Sequence, residues 1–562
     1  MRGSMPESPE TAARQQPKEA KAEGCTVEMA DERRCGRPLL CNVSTSADRI
    51  PVCLMHSRDP NKDDQAFQKE FEVILKAAGE GDADFTRFVF LVADYRGREF
   101  KARCIFRVAT FTQEADFLNA RFTQWACFNW ATFTKKADFH NARFTQGADF
   151  YLARFTKEAK FYLATFTQQA AFLKARFTQE ADFGGATFTL GADFSGATFT
   201  QRAYFREAIF KQEANFIGAT FVGEANFTLA KFDESFANFR GAQFGSGVGF
   251  RETKFRKDDD EVGAIFSLAR FERPEKVVFY QTNLRQVLFH NCDVSRTVFS
   301  NVEWRRRENG KYMLFEEVVK LDKGETGALK PTEGSADERN YGLIAELYQQ
   351  LKKNFDDRRD YWTAGDFHWG EMEMKRLASG RQRVQRRGGL LGRWFGRVLG
   401  GRSMTVAARI GCGKRWLHRN VGLVAWYKYA SEYGESYKRP FRWLLIILAL
   451  FTLAYPNAGL RPATEGTPLA SGQSSSSEVA SPEIHYENFF QYRMAHPKGV
   501  WWGTAAFFGH SLMTAVSVMA FQREFEYAPV YPWGWLLRLL QLLLSSTLIA
   551  LFLLAVRRQF RR

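Results

Sequence analysis

The chain has 562 residues, of which 45% are hydrophobic and 25% charged, a globular composition that excludes a wholly disordered or collagen-like polymer. At roughly 100–200 residues per domain it is long enough for three or four folding units. Its formal net charge of +16 points to an acidic partner, nucleic acid or membrane surface, and position decides between them: Lys375 to Arg442 holds 17 Lys or Arg against only Glu432 and Glu435.

Residues 1–24 are polar and rich in Pro, Ala and Glu, a composition that reads as a disordered tail. They contain no apolar stretch of the secretory type, so the first half of the chain is expected in the cytoplasm. Residues 25–60 then bring together Cys25, Cys35, Cys41, Cys53 and His56. In a reducing compartment such a cluster favours metal over disulfide. Cys53-Leu-Met-His56 places a soft thiolate and an imidazole at the spacing of half a tetrahedral zinc site. Cys25 and Cys35 are expected to complete it, with Cys41 a spare or substitute ligand. One structural zinc would let a segment with few large apolar side chains fold, because metal binding becomes folding free energy.

From Tyr95 onward the spacing of phenylalanine dominates. Of 54 Phe residues, 32 lie between Phe100 and Phe271. Phe106, Phe111, Phe117, Phe122, Phe128, Phe133, Phe139, Phe144 and Phe150 alternate by five and six, so the unit is eleven residues, which neither a helix nor a simple strand produces. An Ala two positions before each Phe implies that both point inward, with Phe filling the axis. The units Ala115-Asp116-Phe117, Ala137-Asp138-Phe139, Ala148-Asp149-Phe150, Ala181-Asp182-Phe183 and Ala192-Asp193-Phe194 resemble the pentapeptide-repeat family. That resemblance implies a right-handed quadrilateral β-helix over residues 83–304, here with about 22 residues per coil rather than 20, and a bacterial, membrane-anchored member. The register slips near Phe236 and is interrupted by a side loop at Lys257–Gly263. It returns at a strict spacing of five through Phe279, Leu284, Phe289, Val294 and Phe299.

Residues 335–380 read as a helical hairpin that caps the rod: Ser335 and Glu338 form a capping box, Tyr341, Ile344, Leu347, Leu351 and Phe355 make one apolar face, and Tyr361, Ala364 and Phe367 make a second. A basic juxtamembrane segment, 381–440, leads to a transmembrane helix at 441–456, an extracytoplasmic loop at 457–499, a re-entrant or interfacial segment at 500–521, and a second transmembrane helix at 535–556. Arg557, Arg558, Arg561 and Arg562 make a basic tail at 557–562. Positive charge at both ends of this region places both termini on the cytoplasmic side of an inner membrane, which requires an even number of spans.

No nucleophile elbow or zinc-protease motif is present, no catalytic residue is assigned, and the chain reads as a non-enzyme. Gly411-Cys-Gly413-Lys414 lacks the spacing of a phosphate loop. His368 and Glu371 share a helical turn without a second ligand pair, so a surface helix is expected there. Between Tyr95 and Glu303, 28 Lys or Arg face 23 Asp or Glu, which argues against mimicry of acidic DNA and against nucleic acid as partner. The expected multidomain protein is therefore a β-helix scaffold for an unidentified protein partner, joined through a helical connector to a two-span α-helical membrane domain in contact with lipid, with room for homo-oligomer formation. The alternative is a subunit of a two-span pore-loop channel. It would lack a potassium filter, because Thr514-Ala-Val-Ser-Val518 has no glycine to turn successive carbonyls toward an ion.

Overall fold

The computed structural model describes residues 24–40, 47–234, 236–256, 261–319, 340–378, 422–458, 460–462, 500–522, 527–529 and 532–561. It divides into two compact units, one of residues 1–305 with 314–334 and one of residues 306–313 with 335–562.

In the first unit, short strands two to four residues long stack into four parallel sheets of 10, 9, 10 and 7 strands, one sheet per face of a solenoid. Each strand pairs with the one a full coil later: Ala115 with Ala137 and Phe122 with Phe144. The coil is thus 22 residues, four strands separated by alternate steps of five and six. Two kinds of corner produce the alternation. In the five-residue step the Asp between Ala and Phe accepts a hydrogen bond from the backbone N–H two residues on, as Asp116 does from Leu118 and Asp138 from His140, both at 3.0 Å. The following residue takes the left-handed conformation, with φ 58° at Asn119, 53° at Asn141 and 61° at Gly185. In the six-residue step the Thr after Phe turns its hydroxyl to a carbonyl of the preceding coil: Thr134 Oγ1 donates to Phe111 and Thr156 Oγ1 to Phe133, both at 3.0 Å.

Every Ala and Phe of the repeat between Ala109 and Phe244 is buried. Because the strand spacing is about 4.8 Å, rings one coil apart stack face to face. Phe150 lies 4.8 Å from Phe128 and 4.9 Å from Phe172, with ring planes within 3° of parallel. Neighbouring columns meet edge to face, as Phe150 does with Phe139 and Phe161 at 84° and 85°. Cys104 sits in the column of inward alanines between Ala83 and Ala126, a small buried residue in a small-residue position. With ten strands in the longest sheets, the stack extends roughly 43 Å.

The irregularities fall where the spacing of Phe breaks. Ala214 pairs with Ala237, one residue late, and Ala237 pairs with Ala264 across the expected side loop, of which residues 257–260 lie outside the described residues. Phe279 then pairs with Phe299, a coil of twenty residues, with Leu284, Phe289 and Val294 buried as the strict spacing of five requires.

Both ends of the solenoid are covered. At the first coil stands a helix that the sequence reading did not include, α1 (Asp64–Ala78), capped by Asp63, whose carboxylate accepts from Ala66 N–H. Its Phe67 and Phe71 are fully buried, Phe67 against Phe88 and Phe90, Phe71 against Phe85, Phe90 and Tyr95. At the far end a single turn, Phe315–Glu317, packs with Val319 on Val262, Ile265 and Leu288. Glu316 is 1% exposed and accepts the Phe289 N–H, a donor that a next strand would otherwise take, while its second oxygen has no partner.

The second unit holds α2 (Tyr341–Asp357) and α3 (361–378), followed by α4 (Leu423–Ser431), α5 (Lys438–Ala458), α6 (Val500–Met519) and α7 (Trp533–Arg561). The expected capping box at Ser335 and Glu338 lies outside the described residues; the observed cap of α2 is Asn340, which accepts from Leu343 N–H. The five apolar residues read on α2 are buried, as are Ala364 and Phe367 on α3, whereas Tyr361 is half-buried. Gly370 of α3 permits close approach, since a Cβ there would lie 2.3 Å from the Tyr348 ring.

The surface helix expected at His368 and Glu371 is a correction. Both are buried, at 8% and 4% exposure, because α3 turns a charged face inward. Burial opposes ionisation of Glu371, yet the His368 ring 3.5 Å away, the hydrogen bond from Lys375 and the charge of Lys352 hold it down to about 2. Glu373 is likewise charged, receiving bonds from Arg376, Lys428 and the Tyr433 hydroxyl.

α5 and α7 run antiparallel. Tyr455 OH donates to Gln541 Oε1 at 2.7 Å near one end, Phe441 meets Phe552 along the length, and Arg558 donates to Tyr433 O and Glu435 at the other. Two helices, Lys438–Ala458 and Trp533–Phe560, are long and apolar enough to cross a membrane. The segment 500–521 is helical through Met519, and its Ser511, Thr514, Ala515 and Val518 are buried. Leu460–Pro462 and Tyr527–Pro529 pair antiparallel.

Two predictions follow from the solenoid. Phe150→Ala removes a ring stacked on both sides and is expected to cost about 3–5 kcal/mol; hydrogen exchange should accelerate in the coils around residue 150 before it does at either end, and uniform acceleration along the rod would contradict the nearest-neighbour stack. Burial pushes the Glu316 carboxyl up from 4.5 to about 7. A carboxyl raised in the folded state contributes stability below its unfolded value and loses it as pH rises through the folded one, so the solenoid should melt progressively lower between pH 4.5 and 7, and Glu316→Gln should flatten that slope.

Candidate metal centre

The irregular spacing of the cysteines is bridged by backbone pairing. Cys25 N–H donates to Arg37 O and Gly36 N–H to Cys25 O, both at 2.9 Å, and Cys35 N–H donates to Val27 O at 2.8 Å, so a short hairpin turning at Glu32 brings Cys25 and Cys35 to one end. Its strands are close enough that a Cβ on Gly24 would lie 2.7 Å from Gly36 O. The other pair rests on a tight turn in which His56 and Ser57 N–H both donate to Cys53 O.

The result is one cluster. The Sγ atoms of Cys25, Cys35 and Cys53 and a ring nitrogen of His56 lie within 4.8 Å of one another, with Cys25, Cys53 and His56 buried and Cys35 half-exposed. Individual separations are 3.1 Å from Cys53 Sγ to His56 Nδ1, 3.4 Å from Cys25 Sγ to His56 Nδ1, and 3.8 Å between Cys35 and Cys53 Sγ. A tetrahedral metal with metal–sulfur bonds near 2.3 Å and metal–nitrogen bonds near 2.0 Å has edges of roughly 3.4–3.8 Å. The four residues assigned from sequence are therefore brought together at metal-binding separation; Cys41 lies outside the described residues.

The surroundings orient the donors. His56 Nε2–H donates to Thr86 O at 3.1 Å, which leaves the Nδ1 lone pair facing the sulfurs. Its ring stands on edge over Phe88 at 5.1 Å. Hydrogen bonding from Cys53, followed by His56 and Arg37, holds the Cys35 thiol down to about 3, while the Cys53 thiol is pushed up by that same bond and by burial. Crowding thus lets one thiolate form at the expense of its neighbour, and a cation held there would supply the charge that allows all three. Lys62, 6% exposed, ties the cluster to the solenoid by donating to Leu54 O and Val89 O with its ammonium 4.4 Å from the Phe67 ring. Neither Thr86 nor Lys62 carries a sequence signal: one contributes a carbonyl from a coil thirty residues on, the other is a lysine among several.

Residues 161–209 and 205–254 match the family model described as pentapeptide repeats (9 copies). No curated protein and no solved structure matches the chain. The repeat segment is of the pentapeptide type, and its neighbours on either side are interpreted from their own geometry.

The cluster predicts one tightly held metal ion per chain by elemental analysis of protein purified without chelator. Cys53→Ser should lose it and expose the hairpin at residues 25–37 to protease, while the solenoid keeps its fold. A metal-free preparation with an intact hairpin would count against the assignment.

Proposed function

We propose that the chain is a membrane-anchored, non-catalytic scaffold, with a pentapeptide-repeat rod wound as a right-handed quadrilateral β-helix in the cytoplasm, stapled at its first coil by a structural zinc ion. The observation that carries the anchoring is the antiparallel α5–α7 pair. Its two candidate spans place Lys438, Arg439 and Arg442 at the same end as Arg557, Arg558 and Arg561, which is the arrangement that the positive-inside bias favours for two helices crossing from and returning to the cytoplasm. Lipid contact is supported by the aliphatic side chains left exposed on both helices, among them Leu445, Leu450, Leu453, Leu543, Leu553 and Leu554.

The polar side chains inside the helical cluster favour an anchor over a pore within one copy. Gln541 donates to Ala515 O and accepts from Tyr455, Ser545 Oγ donates to Gln541 O, and Thr514 Oγ1 donates to His510 O. The Gln541 bonds hold helices together, and the Ser545 and Thr514 hydroxyls are satisfied within their own helices, so none of these groups is left to line a water path. A thiolate-rich, four-ligand, closed donor set is that of structural zinc, which stabilises the fold without chemistry of its own.

A reporter active only outside the cytoplasm should be silent when fused after Arg562 and active when inserted near Ser474, within the polar run between α5 and α6. Activity at the C-terminal fusion would remove the two-span topology. Liposome flux assays on the purified chain should show no conductance; a robust current abolished by changes at Ser511 or Thr514 would replace the scaffold with the channel.

A further inference from the structure

We propose that a cavity beside the metal centre, together with the solenoid corner that continues from it, binds an acidic, partly apolar peptide segment of a partner protein. The proposal rests on the scaffold reading and names the chemistry that the scaffold recognises.

The cavity has a volume of about 560 Å³ and lies between the Cys/His module and the second face of the solenoid, with Val52 and Val89 in its walls and the metal-ligating His56 at its side. This is within the size range of ligand sites. Three exposed arginines line it, Arg49, Arg58 and Arg87. Arg49 and Arg58 make no ion pair among the described residues, and Arg87 reaches only the exposed Glu28, at 3.9 Å. The one acid in the lining, Asp48, is turned to its own loop, where it accepts from Ser57 Oγ at 2.6 Å and Arg58 N–H at 2.9 Å. Three exposed arginines around one opening, two of them without a carboxylate partner among the described residues, suit the planar, bidentate recognition of carboxylate side chains.

A second, independent observation extends the site. Val108 lines the cavity and stands in a corner column of the solenoid that starts at Arg87 and continues past it, a coil at a time, with Trp130 and Leu152. All three are held in the left-handed conformation, at φ 57°, 61° and 55°, as is Lys174 one coil on at 55°; Gly196, Gly218 and Gly241 then take the corner at 61–66° and Leu268 follows at 62°. Glycine adopts this conformation freely; a β-branched or bulky residue does so at a cost of roughly 1–2 kcal/mol. Burial does not offset that cost, since Val108 is 39% and Trp130 46% exposed. Strain carried by exposed apolar side chains, next to a cavity lined with arginines of which Arg49 and Arg58 make no ion pair among the described residues, is the pattern of a binding surface. Tryptophan and arginine are also the residue types that dominate interface energies.

A nucleic acid would satisfy the arginines but not the valine walls or the Val108–Trp130–Leu152 ridge, and the rod beyond offers 28 basic against 23 acidic residues, too balanced to hold a polyanion. A peptide with Asp or Glu beside aliphatic or aromatic residues fills both parts.

The test uses the full chain in detergent. A phage-displayed library of random dodecapeptides is selected on the wild-type protein, and the affinity of the selected peptides is measured by fluorescence anisotropy, with a single-stranded oligonucleotide of similar length in parallel. Selected peptides should be enriched in Asp or Glu adjoining large apolar residues. Their affinity should fall roughly tenfold or more in Arg49→Glu/Arg58→Glu/Arg87→Glu and, separately, in Trp130→Ala, with metal content and melting unchanged because all four side chains are exposed or half-exposed. Peptides without acidic residues, affinities indifferent to both variants, or tighter binding of the oligonucleotide would each overturn the proposal. Binding is read without a membrane, so a failed selection removes this surface alone, and a failed topology assay removes the anchor alone.

Discussion

The first unit depends on one constraint, the parallel register that sets each phenylalanine directly on the phenylalanine one coil later. Strand spacing fixes the separation of the rings, so a stack of near-parallel aromatics at about 4.8 Å is the geometric consequence of pairing like with like. Alanine follows from the same constraint, because only a small side chain fits where the wall passes close to the axis. So does the alternation of five and six: a tight corner made by an Asx turn and a left-handed residue, then a wider one closed by a threonine hydroxyl on the coil before. Where the register is disturbed, at Phe236 and again after Arg256, the columns re-form within a coil, since each coil is positioned by its neighbours alone.

A stack of this kind has exposed edges at both ends, and open strand edges recruit other chains. This protein covers them by two different means. At the first coil, Phe67 and Phe71 of α1 continue the aromatic packing, and Lys62 and His56 join the helix and the thiol cluster to the carbonyls of Leu54, Val89 and Thr86. At the last, a single turn brings a carboxyl to the Phe289 N–H. The first cover is apolar with a metal-binding cluster behind it; the second relies on one buried acid. The two ends therefore differ in chemistry, the first carrying a cluster of thiols and an imidazole and the second a single buried carboxyl.

Much of this was legible in the chain. A period of eleven with Ala two residues before Phe can be satisfied by few architectures, and Cys53-Leu-Met-His56 is a short-range signal that survives any long-range arrangement. What was not legible depends on tertiary contact. The helix α1 buries only two of its residues, Phe67 and Phe71, whose purpose appears only when the first coil is present. The inward face of α3 was not legible because Glu371 looks solvated in sequence; it and Glu373 are buried charged because Lys375 and Arg376 from their own helix are joined by Lys352 of α2 and Lys428 of α4. The cap of α2 shifted from Ser335 to Asn340 for a simpler reason, that a single well-placed amide next to Tyr341 suffices to accept the first free N–H.

The strand-on-strand register also limits how the length of the rod can vary. Removing or duplicating a block of 22 residues returns every Ala and Phe to its column and changes the stack by one strand spacing, whereas deleting a single residue within a strand turns an inward ring to solvent. Length in this protein is therefore quantised: the distance between the end with the Cys/His cluster and the glutamate-capped end can be reset by whole coils, in increments of about 4.8 Å, without redesigning either cover. Extra residues are admitted only at corners, as the loop before Gly263 illustrates, so any ornament the rod acquires must project from an edge and leave the faces flat.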